Sequence, residues 1–207
     1  MKHEFYYTSR DSVTKIHAIE WIPDGEVKGI LQICHGMVEY IDRYDEFAKF
    51  MSGHGYYVVG HDHLGHGKSI QTEADLGYFD ERKGNQYVIG DICQLQEMTK
   101  KKYPDVPYFM LGHSMGSFLL RQYLTMYAGG LSGAVIMGTG YQGALTLSAG
   151  RIVCRIIAAF KGWKYRSTFV DNLSFGGFNK KFEPGETSKE WITSITAFTL
   201  LFSSFVL

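Results

Sequence analysis

Val106-Pro-Tyr-Phe-Met-Leu-Gly-His-Ser-Met-Gly116 is the stretch on which the reading of this chain turns. The apolar run Tyr108 to Leu111 predicts a buried strand, and a helical pattern begins directly after Ser114. Between them lies Gly112-His113-Ser114-Met115-Gly116, a G-x-S-x-G sequence in the strand-turn-helix context of a nucleophile elbow. A turn this tight leaves no room for a Cβ at either glycine. It is expected to hold Ser114 in a strained backbone conformation with its hydroxyl exposed. An ordinary loop is the plain alternative, and the strand before and helix after argue against it.

The chain around the elbow repeats the same grammar. Residues 4–9 and 14–22 predict a hairpin closed at Arg10-Asp11-Ser12. Gly29 to Cys34 predicts a short apolar strand running into His35-Gly36. Arg43 to Gly55 predicts a helix with Asp42 as its N-cap and Tyr44, Phe47, Ala48 and Met51 on the apolar face. Tyr56 to Gly60 is a strand opening into the glycine-rich loop His61 to Ser69. Asn85 to Lys102 is a helix with Val88, Ile92, Leu95 and Met98 inward. After the Ser114 elbow come a helix to about Tyr127 and a strand from Gly133 to Met137. Alternating strands and helices, with strands apolar throughout, predict an α/β fold: a mostly parallel sheet covered by helices. Sites on such sheets lie beyond the carboxyl ends of the strands. His35-Gly36, the 61–69 loop and the Ser114 turn are expected to converge there.

The pattern then changes. Residues 1–140 read as the core. Residues 141–190, with a helix over Gly143 to Phe160 and then scattered aromatics, read as a helical cap. Residues 191–207 carry no charge and read as an apolar tail, short for a stable membrane span. A length of 207 residues suits one domain, and zero net charge gives no reason to expect a nucleic-acid partner. Three separated cysteines, Cys34, Cys93 and Cys154, each among apolar neighbours, read as buried free thiols, not a metal or disulfide framework. With no apolar leader at the N-terminus, the expected location is cytoplasmic.

Chemically, a serine hydroxyl needs a base, a group to orient that base, and donors for the oxyanion it creates. The donors expected on this fold are the Met115 N–H, directly after Ser114, and the Met37 N–H in the loop after the first parallel strand, where Gly36 permits close backbone approach.

Three segments together resemble the monoacylglycerol lipase and lysophospholipase branch of the α/β-hydrolases, also described as serine-aminopeptidase-like hydrolases. They are Leu31-Gln-Ile-Cys-His-Gly-Met-Val-Glu-Tyr-Ile-Asp-Arg-Tyr44, Gly60-His-Asp-His-Leu-Gly-His-Gly-Lys-Ser69 and Leu111-Gly-His-Ser-Met-Gly116. The resemblance runs from about residue 10 to about residue 190. It implies an α/β-hydrolase fold with a cap shaping an acyl-chain pocket. It also implies hydrolysis of small acyl esters through an acyl-Ser114 intermediate, with no metal and no organic cofactor.

The sequence also departs from that pattern. The family order is Ser, then Asp, then His, yet all eight histidines lie at or before His113. Asp171, the single aspartate after the elbow, sits in cap-like sequence. No base or acid is assigned, the last two strands of the family sheet are missing, and the chain reads as truncated, with little turnover expected. Two other readings stand beside this one. The chain is a non-catalytic fragment or pseudoenzyme, whose Gly133–Met137 strand, left as a sheet edge, favours self-association. Or it is a metal-dependent hydrolase using His61, His63 and His66, although Gly65 stands where such motifs carry an aspartate.

Overall fold

The computed structural model describes residues 1–127, 129–175 and 177–182. The chain forms two compact units, Met1–Tyr141 and Gln142–Leu207. The 191–207 tail and the end of the 141–190 segment lie outside the described residues.

The first unit is built on one six-stranded sheet in the order β1-β2-β4-β3-β5-β6. Strands β1 (Lys2–Thr8) and β2 (Lys15–Trp21) make the antiparallel hairpin, Tyr7 opposite Ile16. The next four strands, β3 (Gly29–Cys34), β4 (Tyr56–His61), β5 (Tyr108–His113) and β6 (Gly133–Met137), run parallel to one another. Every residue of β3 is buried. Helices on both sides remove both faces of this strand from water, which is why it reads as an unbroken apolar run. Its one polar residue, Gln32, is satisfied inside: Tyr108 Oη–H donates to Gln32 Oε1 at 2.5 Å, and Gln32 Nε2–H donates to Ile92 O at 3.1 Å.

Helix α1 (Asp45–Gly53) covers one face, with Ile41 and Ala48 against Ile19, Trp21, Ile33 and Val58. Helices α2 (Gly84–Lys102) and α3 (Met115–Tyr127) contribute to the core on the other, through Val88, Ile92, Leu95, Leu119, Leu120 and Tyr123. Two positions differ from the periodic reading. Phe47 and Met98, expected inward, are 39% and 38% exposed. On α2 the buried place falls to Thr99, which hides its hydroxyl by donating to Leu95 O at 2.8 Å.

The start of α1 is also corrected. Asp42 does not cap it: residues Ile41–Tyr44 form a 3-10 turn first, and Tyr44 precedes the helix. The reason is tertiary. Asp62 Oδ1 accepts the Ile41 N–H at 2.7 Å and the Ile41 side chain is buried, so the chain enters tightly wound. Asp42 pairs with Lys2 instead. Asp45 and Glu46 supply negative charge to the first turn.

The second unit holds α4 (Ala144–Lys161), α5 (Thr168–Phe175) and a 3-10 turn over Phe178–Phe182. Cys34 and Cys93 are buried, but Cys154 on α4 is exposed, contrary to expectation, because no residue of that helix is buried. No helix among the described residues is long and apolar enough to cross a membrane.

Candidate active site

Ser114 sits between β5 and α3 with φ +51°. Non-glycine residues rarely occupy this left-handed region, and they do so where surrounding structure forces it. The forcing contacts are steric. A Cβ on Gly116 would lie 2.0 Å from Cys34 O, and one on Gly112 would lie 2.5 Å from Gly116 O. Helix α3 therefore approaches the end of β3 as closely as backbone allows. The Ser114 N–H donates to Met137 O at 3.0 Å, and Ser114 O accepts from both the N–H and the hydroxyl of Ser117.

The loop after β3 lies against this turn. A Cβ on Gly36 would come within 3.2 Å of Ser114 Cβ. Met115 is the first residue of α3, so its N–H has no acceptor within the helix. The Met37 N–H has no protein acceptor among the described residues. His35 is fully buried. Its Nε2 accepts the His63 N–H at 2.9 Å, which places its proton on Nδ1, donated to Gly36 O at 2.7 Å. Burial, followed by the neighbouring His63 and His66, pushes the His35 pKa well down, so the ring is neutral.

The third loop is a buried imidazole cluster. His61 and His63 are fully buried and His66 is nearly so. His63 Nδ1 and His61 Nε2 share a hydrogen bond of 3.1 Å, and the His35 and His63 rings lie 4.2 Å apart. Burial lowers all three pKa values, that of His61 to about 3. The loop is anchored by Asp62, which accepts the Ile41 and Lys68 N–H groups and binds His17 Nδ1 at 2.8 Å. No ring nitrogen of His61, His63 or His66 hydrogen-bonds Ser114. No group of three or more His, Cys, Asp or Glu among the described residues is arranged to hold a metal ion. Asp171 lies on α5, in the second unit.

One member of the constellation has no signal in the motif reading. Glu39 is 5% exposed and takes donors from both loops, Gly36 N–H at 2.8 Å and His113 Nδ1 at 3.2 Å. Glutamate three residues after a glycine, and four before an arginine, is the only trace of this in the sequence.

A profile of serine aminopeptidase S33 hydrolases matches residues 25–194. The chain belongs to the serine aminopeptidase S33 family. Within the S33 hydrolases its curated relatives include the monoglyceride lipase of Mus musculus, 40% identical over 96 residues, 46% of this chain and 30% of that protein. The monoacylglycerol lipase of Mycolicibacterium smegmatis is 30% identical over 118 residues, 57% of this chain and 40% of that protein. The matched segments thus span less than half the length of either relative. Among solved structures, a thermostable carboxyl esterase from Bacillus coagulans in complex with glycerol aligns with TM-score 0.81 at 28% identity, over 98% of this chain and 65% of that one. A lipase in an open form aligns with TM-score 0.76 at 21% identity, over 100% of this chain and 73% of that one, a likeness of fold alone. This S33 chain therefore has the α/β-hydrolase fold.

Proposed function

We propose that this chain is a serine hydrolase of small carboxylic esters of the monoglyceride or lysophospholipid class, acting through an acyl-Ser114 intermediate. The observation that carries this is the φ of +51° at Ser114, on a turn packed against the Gly36 backbone. The names of the relatives support the substrate class. In this reading Ser114 Oγ attacks the ester carbonyl carbon. The Met37 and Met115 N–H groups hold the oxyanion, and the C–O bond breaks as the leaving oxygen takes a proton from solvent and departs as the alcohol. Water then attacks the acyl-serine and restores the hydroxyl.

The second unit serves in this reading as a cap. A largely apolar groove of about 500 Å³, lined by Val153, Ile156, Ile157, Phe160, Tyr165 and Phe169 among others, suits an acyl chain. Free thiols fit a cytoplasmic setting. The exposed edge of β6, with Val135 and Met137 half-exposed, supports self-association by pairing with a second copy.

A binding protein without turnover is the second reading. It is favoured because no described histidine ring hydrogen-bonds Ser114. With no base hydrogen-bonded to Ser114 Oγ among the described residues, the hydroxyl proton leaves to solvent in this second reading, and acylation is expected to be slow. A fluorophosphonate probe decides between them. Slow covalent addition at Ser114, abolished in Ser114→Ala, is the expected result. Absence of any adduct on the folded wild-type chain overturns the hydrolase reading.

A further inference from the structure

The turn after β3 is strained at a second residue. Val38 has φ +57°, a conformation in which a β-branched side chain is a true outlier. Such a residue persists only where its surroundings over-determine it. The next residue supplies those surroundings. Glu39 Oε2 accepts Gly36 N–H at 2.8 Å, Tyr44 Oη–H at 2.8 Å and His113 Nδ1 at 3.2 Å, and Oε1 accepts Arg43 Nη1–H at 2.8 Å. Gly36 precedes Met37 and Val38, and His113 precedes Ser114. One buried carboxylate therefore spans both sides of the candidate site.

We infer that Glu39 is a positioning residue, which holds Gly36 to Val38 in their strained turn and pins that turn to the residue before Ser114. The inference rests on the reading of Ser114 as nucleophile, and Glu39 itself touches no reacting atom. By taking the Gly36 N–H it commits that amide inward, while the Met37 N–H beside it has no protein acceptor among the described residues. Burial pushes its pKa up, but the His113 hydrogen bond, the Gly36 amide and the charges of His113 and Arg43 outweigh this and hold it at about 2. Only an ionised carboxylate presents both oxygens as acceptors with no O–H turned toward a donor. A carboxamide would present an N–H₂ to one of these donors and leave it unsatisfied.

The test uses the full chain and three variants. Glu39→Gln breaks the clamp. Glu39→Gln combined with Val38→Gly removes the strain that the clamp opposes. Glu20→Gln is the control, a buried carboxylate bound to Tyr57 and Lys102 on the hairpin strand β2. The rate constant and affinity of fluorophosphonate addition at Ser114 are measured, together with hydrogen exchange at the Gly36 amide. Glu39→Gln is expected to slow addition about 10- to 100-fold, short of the full loss of an oxyanion donor, with affinity unchanged and Gly36 exchanging faster. Val38→Gly in that background should recover much of the rate, because glycine takes a positive φ without strain. Glu20→Gln should lower the melting temperature without slowing addition. Unchanged rate and Gly36 exchange in Glu39→Gln overturn the inference, as does a double variant as slow as the single one. If Glu39→Gln does not fold, Glu39→Asp makes the same comparison, since it keeps the charge and shortens the reach. A wild-type chain that forms no adduct sinks the hydrolase reading alone, and Gly36 exchange still decides the role of Glu39.

Discussion

Gly116 leaves no space for a side chain, and the consequence is measurable. In Gly116→Ala the new methyl would meet Cys34 O and His35 O, both backbone atoms that no rotamer change can move. Strand β3 and helix α3 must separate, which overpacking of this kind sets at about 1–3 kcal/mol of lost stability. Urea unfolding of the variant should show that loss, together with a slower reaction at Ser114. Residues of this kind are readable from sequence because their reason is local: glycine, serine and glycine at fixed spacing allow one turn. Glu39 and Val38 are not readable in the same way. The donors to Glu39 come from Gly36, Arg43, Tyr44 and His113, and only the parallel pairing of β3 with β5 makes His113 its neighbour. The strain at Val38 leaves no mark in the sequence at all.

Among the elements, strands and helices with strong apolar periods were legible to within a residue or two, since burying those residues decides the local structure. What escaped was set by tertiary contacts. Asp42 is a residue type suited to an N-cap, but Asp62 reaches across from the loop after β4 and winds residues 41–44 more tightly. Asp91 is a similar case on α2. It accepts Ser9 Oγ–H at 2.8 Å and Arg10 N–H at 2.7 Å, and Tyr7 Oη–H donates to its carbonyl at 3.1 Å, so it fastens the hairpin to the helix. Burial outweighs the first two bonds and, helped by the charge of Asp11, raises its pKa to about 6. An acid whose folded pKa lies above its ordinary value stabilises the fold when protonated. That contribution is complete below about 3.8 and is lost as pH rises through about 6. Asp91→Asn cannot ionise and sets an N–H₂ against the Ser9 or the Arg10 donor at every pH, so its melting temperature relative to wild type should be higher at pH 8 than at pH 4. Thermal melts at the two pH values check it.

For the molecule as a whole, acid stability is governed by the imidazole cluster. His35, His61, His63 and His66 all have pKa values depressed by burial, so they are neutral when folded and ordinary when unfolded. Their contribution is complete above about 6.5 and is lost as pH falls below it. Asp91, and His17 held between Asp62 and Glu4, change in the opposite sense and offset part of it. Unfolding below about pH 6.5 should thus take up protons, and stability should fall as pH falls through that range. Chemical unfolding from pH 8 to pH 5 should show that fall. A shallow dependence would mean that the cluster is hydrated in solution. None of this was evident from the dense run of histidines in the 61–66 loop, because burial, not composition, makes those rings neutral.

The uneven exposure of the thiols has a practical consequence for optical work. Cys34 and Cys93 are sealed in the core, and burial pushes the Cys34 thiol up to about 12, while Cys154 stands on the surface of α4. A maleimide dye added to the native chain should therefore attach at one place, in the second unit. Its fluorescence would then report from that single position, without any engineered handle.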